Sequence, residues 1–486
     1  MVSVELGHED KSLSRSDPLP LCVDLDGTLL RSDLLIESAL SLVARNPANV
    51  FRMIGWLFRG RAHLKAEIAK RAIIDTATLP YDKAVIDWLK PQAGTREIIL
   101  CTASDQLLAH KVADYVACFS GVLASDGSHN LAGARKAAAL VRRFGEKGFD
   151  YVGNARVDLD VWRHACHAIV VEHGNRLSRA AGKVSTVEKV FHYDRPSLKT
   201  WLKAIRIHQW IKNILIFLPL LASHRLFDAR AVTDSALAFL CFGLCASSVY
   251  LTNDLLDLEA DRQHKRKRHR PFAAGSIPLV FGPVAAIVLL VAAFVIAWEV
   301  HHVFFGVLAS YYVLTTGYSL RFKRMMMLDV VVLAMLYTTR ILAGTAAIHS
   351  KPSFWLLAFS MFIFLSLAMV KRYTELLALQ RAGKVTANGR GYDVEDIPLV
   401  QSLGGSSGYM AVLVLALYID STASEVLYRH PHYLWLLCPL LLYWISRTWA
   451  IAHRGVMHDD PVVFAVTDNA SRVILGIAAA IVVASV

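Results

Sequence analysis

Beyond about residue 196 the sequence is dominated by apolar stretches, near 212–224, 236–252, 279–299, 302–319, 329–348, 353–370, 408–420, 432–450 and 471–486. This recurrence limits the fold more than any other feature. About 20 apolar residues in a helix cross a bilayer's hydrocarbon core, where each backbone polar group has to be bonded internally. The stretches therefore predict an all-α membrane bundle of about nine helices over 212–486, in which the first, seventh and ninth stretches are short. Residues 1–195 follow a different pattern, of short apolar strands ending in polar turns, and predict a separate α/β domain. Between them, 196–211 is broken by Asp194-Arg195-Pro196 and then turns amphipathic, with Lys203, Arg206 and His208 among apolar residues. It predicts either an interfacial helix or an ordinary linker helix.

The charge is uneven as well. The chain carries a formal +12, but in the membrane half the basic residues sit in short loops, which points to lipid headgroups and phosphorylated substrates rather than nucleic acid. If the first span starts in the cytoplasm, alternate loops hold sixteen basic residues and the opposite loops four. That asymmetry predicts a multi-pass protein of the cell inner membrane, with the α/β domain and the charged loops cytoplasmic. The first twenty residues have no apolar core of a signal peptide, so no leader is expected. Seven cysteines without CxxC spacing predict a reduced compartment and no zinc site. A homo-oligomer is left open.

One run stands out at the edge of an apolar stretch. Asn253-Asp254-Leu255-Leu256-Asp257-Leu258-Glu259-Ala260-Asp261-Arg262 is followed by His264-Lys265-Arg266-Lys267-Arg268-His269-Arg270-Pro271. Asp254, Asp257 and Asp261, spaced three and four apart, fall on one helix face, so their carboxylates can converge. Such oxygens suit Mg²⁺, which is usually held by carboxylates together with substrate phosphates. A charged loop beside a membrane helix is the plainer alternative. Topology accounts for the lysines and arginines of such a loop but gives no reason for three aspartates in register.

Further polar groups lie in loops on the same predicted face. Tyr318-Ser319-Leu320-Arg321-Phe322-Lys323-Arg324 leads into Asp329, with Arg340 about three turns further along; Lys371-Arg372-Tyr373-Thr374-Glu375 closes the sixth span, and Arg390-Gly391-Tyr392-Asp393 follows. An arginine inside an apolar span needs a partner. For Arg340 this is either a substrate group or a structural salt bridge to Asp329 or another loop carboxylate.

In the N-terminal half, Leu21-Cys22-Val23 runs into Asp24-Leu25-Asp26-Gly27-Thr28. That puts two carboxylates just past a strand end, where α/β sheets bind ligands. This DxDGT resembles the first motif of the haloacid-dehalogenase-like (HAD-like) hydrolases. The resemblance implies that Asp24 is a phosphoryl-accepting nucleophile and Asp26 a general acid/base, that Thr102 or Ser104 binds phosphate, and that Lys136 is the third-motif lysine. Asn154 stands where the family usually has a Mg²⁺-ligating aspartate, and Asp158 matches the later acidic position, so Asp24, Asn154 and Asp158 are the implied metal group. An asparagine removes one negative charge, which leaves two alternatives, an active phosphatase or a domain that only binds or scaffolds. Residues 33–92 resemble the helical cap of the phosphoserine-phosphatase-like branch.

The C-terminal part, from about residue 200, resembles the UbiA superfamily of intramembrane prenyltransferases, on Asn253-Asp254-x-x-Asp257-x-x-x-Asp261 and on the Tyr318…Lys323…Asp329 region. The resemblance implies that Asp254, Asp257, Asp261 and Asp329 hold Mg²⁺ against a diphosphate. Lys323, Arg324 and Lys371 are then candidate diphosphate contacts, and Asn253, Arg270, Tyr318, Arg340 and Arg372 further substrate contacts. Gln209-Trp210-Ile211-Lys212-Asn213, with Lys212 and Asn213 as substrate contacts, and Asp459-Asp460-Pro461 resemble the decaprenyl-phosphate phosphoribosyltransferase branch. The implied reaction is transfer of 5-phosphoribose from phosphoribosyl diphosphate to a polyprenyl phosphate, with the HAD-like domain acting on the product. The alternatives are prenyl transfer to an aromatic acceptor and a non-catalytic lipid-binding protein.

Overall fold

The computed structural model describes residues 18–126, 130–383, 391–457 and 461–486. These form two compact units, one of the described residues up to Ala204 together with Thr252–Val284, the other of Ile205–Leu251 and Ala285–Val486.

The first unit is built on six parallel strands, β1 (Leu21–Val23), β2 (Ile98–Asp105), β3 (Gly121–Ser125), β4 (Asp150–Gly153), β5 (His167–Glu172) and β6 (Thr186–His192), in the order β3-β2-β1-β4-β5-β6. Alternation along the strands assigns side chains to two buried faces. Leu21, Val23, Leu100, Val152 and Ile169 pack with Leu108 and Val112 of the helix Gln106–Val116. Cys22, Ile99, Tyr151 and Val170 pack with Ala137 and Leu140 of the helix Ala134–Phe144. The chain leaves β1 in one direction towards β2 and β3 and returns on its other side to β4, so the strand order reverses between β1 and β4. Open α/β sheets bind ligands at the carboxyl ends of strands at such a point.

Three helices enter between β1 and β2, α1 (Leu34–Arg45), α2 (Asn49–Leu57) and α3 (Arg61–Arg71). Asp33 caps α1 by accepting from the Leu35 and Ile36 amides, which satisfies two N–H groups that the helix leaves unbonded. Leu42, Ile68 and Ala72 form a small core with Met53, Trp56 and Leu64.

The segment 252–284, charged through 254–270, clusters with this unit rather than with the apolar helices. Arg262 pairs with Glu37 of α1, and Lys203 Nζ donates to the His269 carbonyl at 2.9 Å. The segment 196–211, expected as one helix, is instead the helix Leu198–Ala204, a left-handed Arg206 (φ 53°) and the start of a 3-10 helix, Ile207–Phe217. A left-handed residue cannot continue the α-helical hydrogen-bond ladder.

Among the described residues seven helices are long and apolar enough to cross a membrane, Ala229–Leu256, Phe281–Val300, His302–Leu320, Leu328–Ala347, Phe354–Arg381, Val394–Ile419 and Pro431–His453. Two shorter apolar helices, Ile207–Ala222 and Asn469–Ser485, lie where the first and ninth stretches were read. The seventh stretch, expected to be short, belongs to a full-length helix. Its polar N-terminal half is a packing surface: a Cβ at Gly404 would come within 2.6 Å of Met369 Cβ, and one at Gly408 within 2.7 Å of Ile445 Cγ2. Ser366 Oγ donates to the Gly404 carbonyl at 2.7 Å and accepts from Trp449 Nε1 at 3.1 Å. Small residues four apart that let helices approach closely are a usual device of membrane helix pairs.

Candidate functional site

At the reversal point in the first unit, Asp24 follows β1 directly and its amide donates to the Val152 carbonyl of β4 at 3.0 Å. Its carboxylate accepts from Lys136 Nζ at 2.7 Å, and Lys136 also donates to the Tyr151 hydroxyl at 2.9 Å. Two residues on, Asp26 accepts from the Leu34 amide at the start of α1 (2.7 Å), from Ser104 Oγ (2.7 Å) and from Thr102 Oγ1 (3.4 Å). The structure thus gathers Asp24, Asp26, Thr102, Lys136, Asn154 and Asp158 around three strand ends. Burial, then the nearby Asp33 and Asp24 charges, push the Asp26 carboxyl up to about 7. Burial and Asp24 raise Asp158 to about 6. The neighbouring carboxylates raise Lys136 and keep it protonated against the effect of burial.

The three residues read as a metal group do not make a good cradle for a divalent ion. Asp24 is already bridged to an ammonium. Asn154 contributes no charge, and its Oδ1 accepts from Thr28 Oγ1 at 3.2 Å. Asp158 turns one oxygen onto the Asn154 and Ala155 amides (3.0 and 2.9 Å) and the other onto the Tyr151 hydroxyl (3.0 Å). Gly27, at φ +74°, fits closely here, since a Cβ would fall 2.1 Å from Asn154 Nδ2. At the opposite end of the sheet Asp150, Cys166 and His167 also come together. There the Asp150 carboxylate is taken up by Arg96 Nη1 (2.7 Å) and by the His167 amide and Nδ1, which accounts for the group structurally.

The aspartate run forms the second group of the first unit. The run is not the single helix expected: Ala229–Leu256 ends just before Asp257, which at φ −98° and ψ 16° precedes a second helix, Leu258–Gln263. The junction keeps bonds from the Asp257 amide to the Asn253 carbonyl (2.9 Å) and from the Asp261 amide to the Asp257 carbonyl (2.8 Å). Asp254 and Asp261 are buried and Asp257 is exposed, so the three do not share one environment. A single nitrogen, Arg270 Nη1, donates to Asp254 Oδ1 (3.1 Å) and to Asp261 Oδ2 (2.6 Å). Two carboxylates seven residues apart therefore converge on one positive charge, and such a donor pair fits a small cation such as Mg²⁺.

In the second unit Asp329 is fully buried. Its carboxylate pairs with Arg372, which also pairs with Glu375, and accepts from the Tyr392 hydroxyl at 2.7 Å; the Met327 amide donates to that hydroxyl at 2.8 Å. Arg340, expected either to meet substrate or to pair with a carboxylate such as Asp329, makes no ion pair with Asp329, which pairs with Arg372 instead. It donates to Asn213 Oδ1 (3.0 Å), the Leu336 carbonyl (2.6 Å) and the Tyr311 hydroxyl (3.2 Å), and lies over the Tyr311 and Tyr337 rings. Asn213 is thereby buried, whereas Lys212, Tyr318, Lys323 and Lys371 are half-buried and Arg324 is exposed. Asn253 is half-buried in the first unit. Tyr392, which the sequence placed in a polar loop without a role, orients Asp329; only its nearness to Asp393 and Gly391 signalled it. Asp459, Asp460 and Arg390 lie outside the described residues.

Comparison with known proteins bears on the second half of the chain above all. The model of the UbiA prenyltransferase family matches residues 214–468. The protein y4nM of Sinorhizobium fredii is 38% identical over 460 residues, covering 93% of this chain and 88% of that one. Nodulation protein NoeC of Azorhizobium caulinodans is 39% identical over 287 residues, 58% of this chain and 92% of its own. Decaprenyl-phosphate phosphoribosyltransferase of Corynebacterium glutamicum is 35% identical over 186 residues, 37% of this chain and 56% of that protein.

Proposed function

Because this chain belongs to the UbiA prenyltransferase family, we propose that it transfers 5-phosphoribose from phosphoribosyl diphosphate to a polyprenyl phosphate at the inner membrane, with its charged loops cytoplasmic. The bond from ribose C1 to the diphosphate breaks, a bond from C1 to a lipid phosphate oxygen forms, and diphosphate leaves. The observation that carries a diphosphate reaction is the convergence of Asp254 and Asp261 on one cationic nitrogen. The choice of donor and acceptor rests on the likeness to a decaprenyl-phosphate phosphoribosyltransferase.

Asp254, Asp261 and Asp257 of the first unit would hold Mg²⁺, which would neutralise charge on a departing diphosphate, and Asp329 is assigned to metal on the family resemblance alone. Arg270, whose Nη1 bridges Asp254 and Asp261, would meet the phosphates. Lys323, Arg324 and Lys371 supply further positive charge to the phosphate groups. Arg340 and Arg372 act as positioning residues, the first on Asn213 and the second on Asp329.

For the N-terminal unit the reading is removal of the 5-phosphate from the lipid product. Asp24 attacks phosphorus and Asp26 gives its proton to the leaving sugar oxygen; Asp26 then takes a proton from the water that releases phosphate from Asp24. Its support is the proton that Asp26 holds near neutrality and the Lys136 cation beside Asp24. No divalent ion enters this step, since the donor set present does not fit one.

The deciding experiment incubates the purified protein and Mg²⁺ with phosphoribosyl diphosphate and a polyprenyl phosphate, following diphosphate release and lipid mass, with Asp254→Ala as control. A lipid product heavier by 5-phosphoribose, lost in the variant, is expected. No such product, with polyprenyl diphosphate consumed when an aromatic acceptor is added, would establish prenyl transfer instead.

A further inference from the structure

The helix α2 has an apolar outer side. Met53 and Trp56 pack inward on Leu42, Ile68 and Ala72, and Arg71 lies over the Trp56 ring. Phe51, Ile54 and Phe58, at i, i+3 and i+7, face away from that small core; Phe51 is 78% and Phe58 88% exposed, and Val50 and Leu57 widen the stripe. No residue of the helix is buried. An aromatic stripe of this kind on a water-soluble surface is costly unless something covers it.

Charge identifies the cover. From Ser38 to Ala66 the sequence contains Arg45, Arg52, Arg59, Arg61 and Lys65 and no acidic residue. Lys65 turns inward to the Ala103 carbonyl and Asn130, whereas Arg45, Arg52 and Arg59 are exposed around the apolar stripe. Phenylalanines flanked by arginines on a short helix are the composition of a segment that lies in the headgroup layer of an anionic bilayer. The same chain contains seven helices of membrane-crossing length and composition, so this helix is tethered to a bilayer and needs little affinity of its own to stay bound.

We propose that α2 is a membrane-surface anchor, with Phe51, Ile54 and Phe58 inserted among the lipid headgroups and Arg52 and Arg59 on lipid phosphates. The cap it belongs to covers Asp26 through α1, so docking holds the entrance of the N-terminal site at the lipid surface, where a phosphorylated lipid arrives without leaving the membrane. The docking rests on the stripe and the charge, and stands whichever lipid the transferase uses.

The test places a nitroxide at Phe58→Cys in the full chain carrying Cys166→Ser, since the other six cysteines are buried. A second sample carries it at Arg142→Cys, on the helix packed against the other sheet face. Both are reconstituted in nanodiscs containing phosphatidylglycerol, and relaxation by oxygen is compared with relaxation by a water-soluble nickel complex. The expected result is a reversal of the ratio, with oxygen dominant at position 58 and nickel dominant at 142. Nickel dominance at both positions would overturn the proposal. Shielding of position 58 from both agents would overturn it too, by showing a protein surface over the helix. Adding Arg52→Gln and Arg59→Gln is expected to shift the position-58 ratio towards nickel, and an unchanged ratio would remove the phosphate contacts from the proposal.

Discussion

Glu37 on the first cap helix and Arg262, which directly follows Asp261, form a buried two-point ion pair with distances of 2.6 and 3.1 Å, and Arg262 also donates to the Ala273 carbonyl at 3.0 Å. Three residues before Glu37, the Leu34 amide donates to Asp26. One short helix therefore touches the carboxylate that follows β1 at its start and the aspartate run a turn later. The N-terminal unit is in this sense part of the scaffold that holds Asp254 and Asp261. Glu37→Gln should leave Arg262 as an uncompensated buried charge, which costs about 3–5 kcal/mol. We expect a fall in thermal stability and a higher Mg²⁺ requirement for diphosphate release. Glu37→Leu combined with Arg262→Met should recover most of the stability, and a double variant as unstable as the single one would refute the pairing.

Arg270 occupies the point at which Asp254 and Asp261 meet, so it competes with any metal for the same oxygens. A hydrogen bond to a charged group is worth about 1.5–3 kcal/mol. Arg270→Gln should therefore bind Mn²⁺, used as a spectroscopic substitute for Mg²⁺, about tenfold more tightly or better, by the conversion of 1.4 kcal/mol per decade. Turnover with phosphoribosyl diphosphate should fall at the same time because a phosphate contact is lost. Manganese binding followed by electron paramagnetic resonance separates the two effects, and unchanged binding would show that the carboxylates bind metal elsewhere.

Asp26 rises from its ordinary 3.8 to about 7, first by burial and then by Asp33 and Asp24. A carboxyl whose folded value is raised contributes stability that is fully present below about 4 and is lost as pH climbs through about 7. Asp26→Asn should flatten that loss, so that the wild type loses more thermal stability than the variant between pH 5 and pH 8. Release of phosphate from a sugar phosphate ester, if Asp26 is the proton donor, should decline above pH 7 in the wild type.

Asn154 leaves the N-terminal site one negative charge short. Asn154→Asp should add a metal-binding carboxylate beside Asp24 and make phosphate release respond to Mg²⁺, by about tenfold or more if one charge-assisted contact is gained. Phosphate release with and without Mg²⁺ measures this directly. A variant indifferent to Mg²⁺ would mean that the Lys136 bridge keeps Asp24 from the metal even when the charge is restored.

Asp329 is held by Arg372 and Tyr392. Arg372→Ala should destabilise the second unit by about 3–5 kcal/mol, the cost of stranding a buried carboxylate. Thermal unfolding in detergent should show it.

Much of this architecture was legible in the chain because it depends on local pattern. Apolar length marks the membrane helices, and the strand ending in Asp24-Leu25-Asp26-Gly27 marks the first ligand-facing edge of the sheet, since both signals are carried by residues close in sequence. Spacing also predicted that the carboxylates of Asp254 and Asp261 can converge, although the structure breaks the expected helix at Asp257. The choice of partner was not legible. Asp329 takes Arg372, 43 residues away, and Tyr392, 63 residues away, rather than Arg340. Asp257, in register with its neighbours, is exposed while they are buried. Glu37 meets Arg262 across 225 residues. The sequence by itself determined which residues carry charge, where helices and strands run and which stretches suit a bilayer. Tertiary structure alone decided which charges neutralise one another, because a buried ion pair depends on desolvation and on contacts between segments far apart in the chain, and neither is encoded in local periodicity.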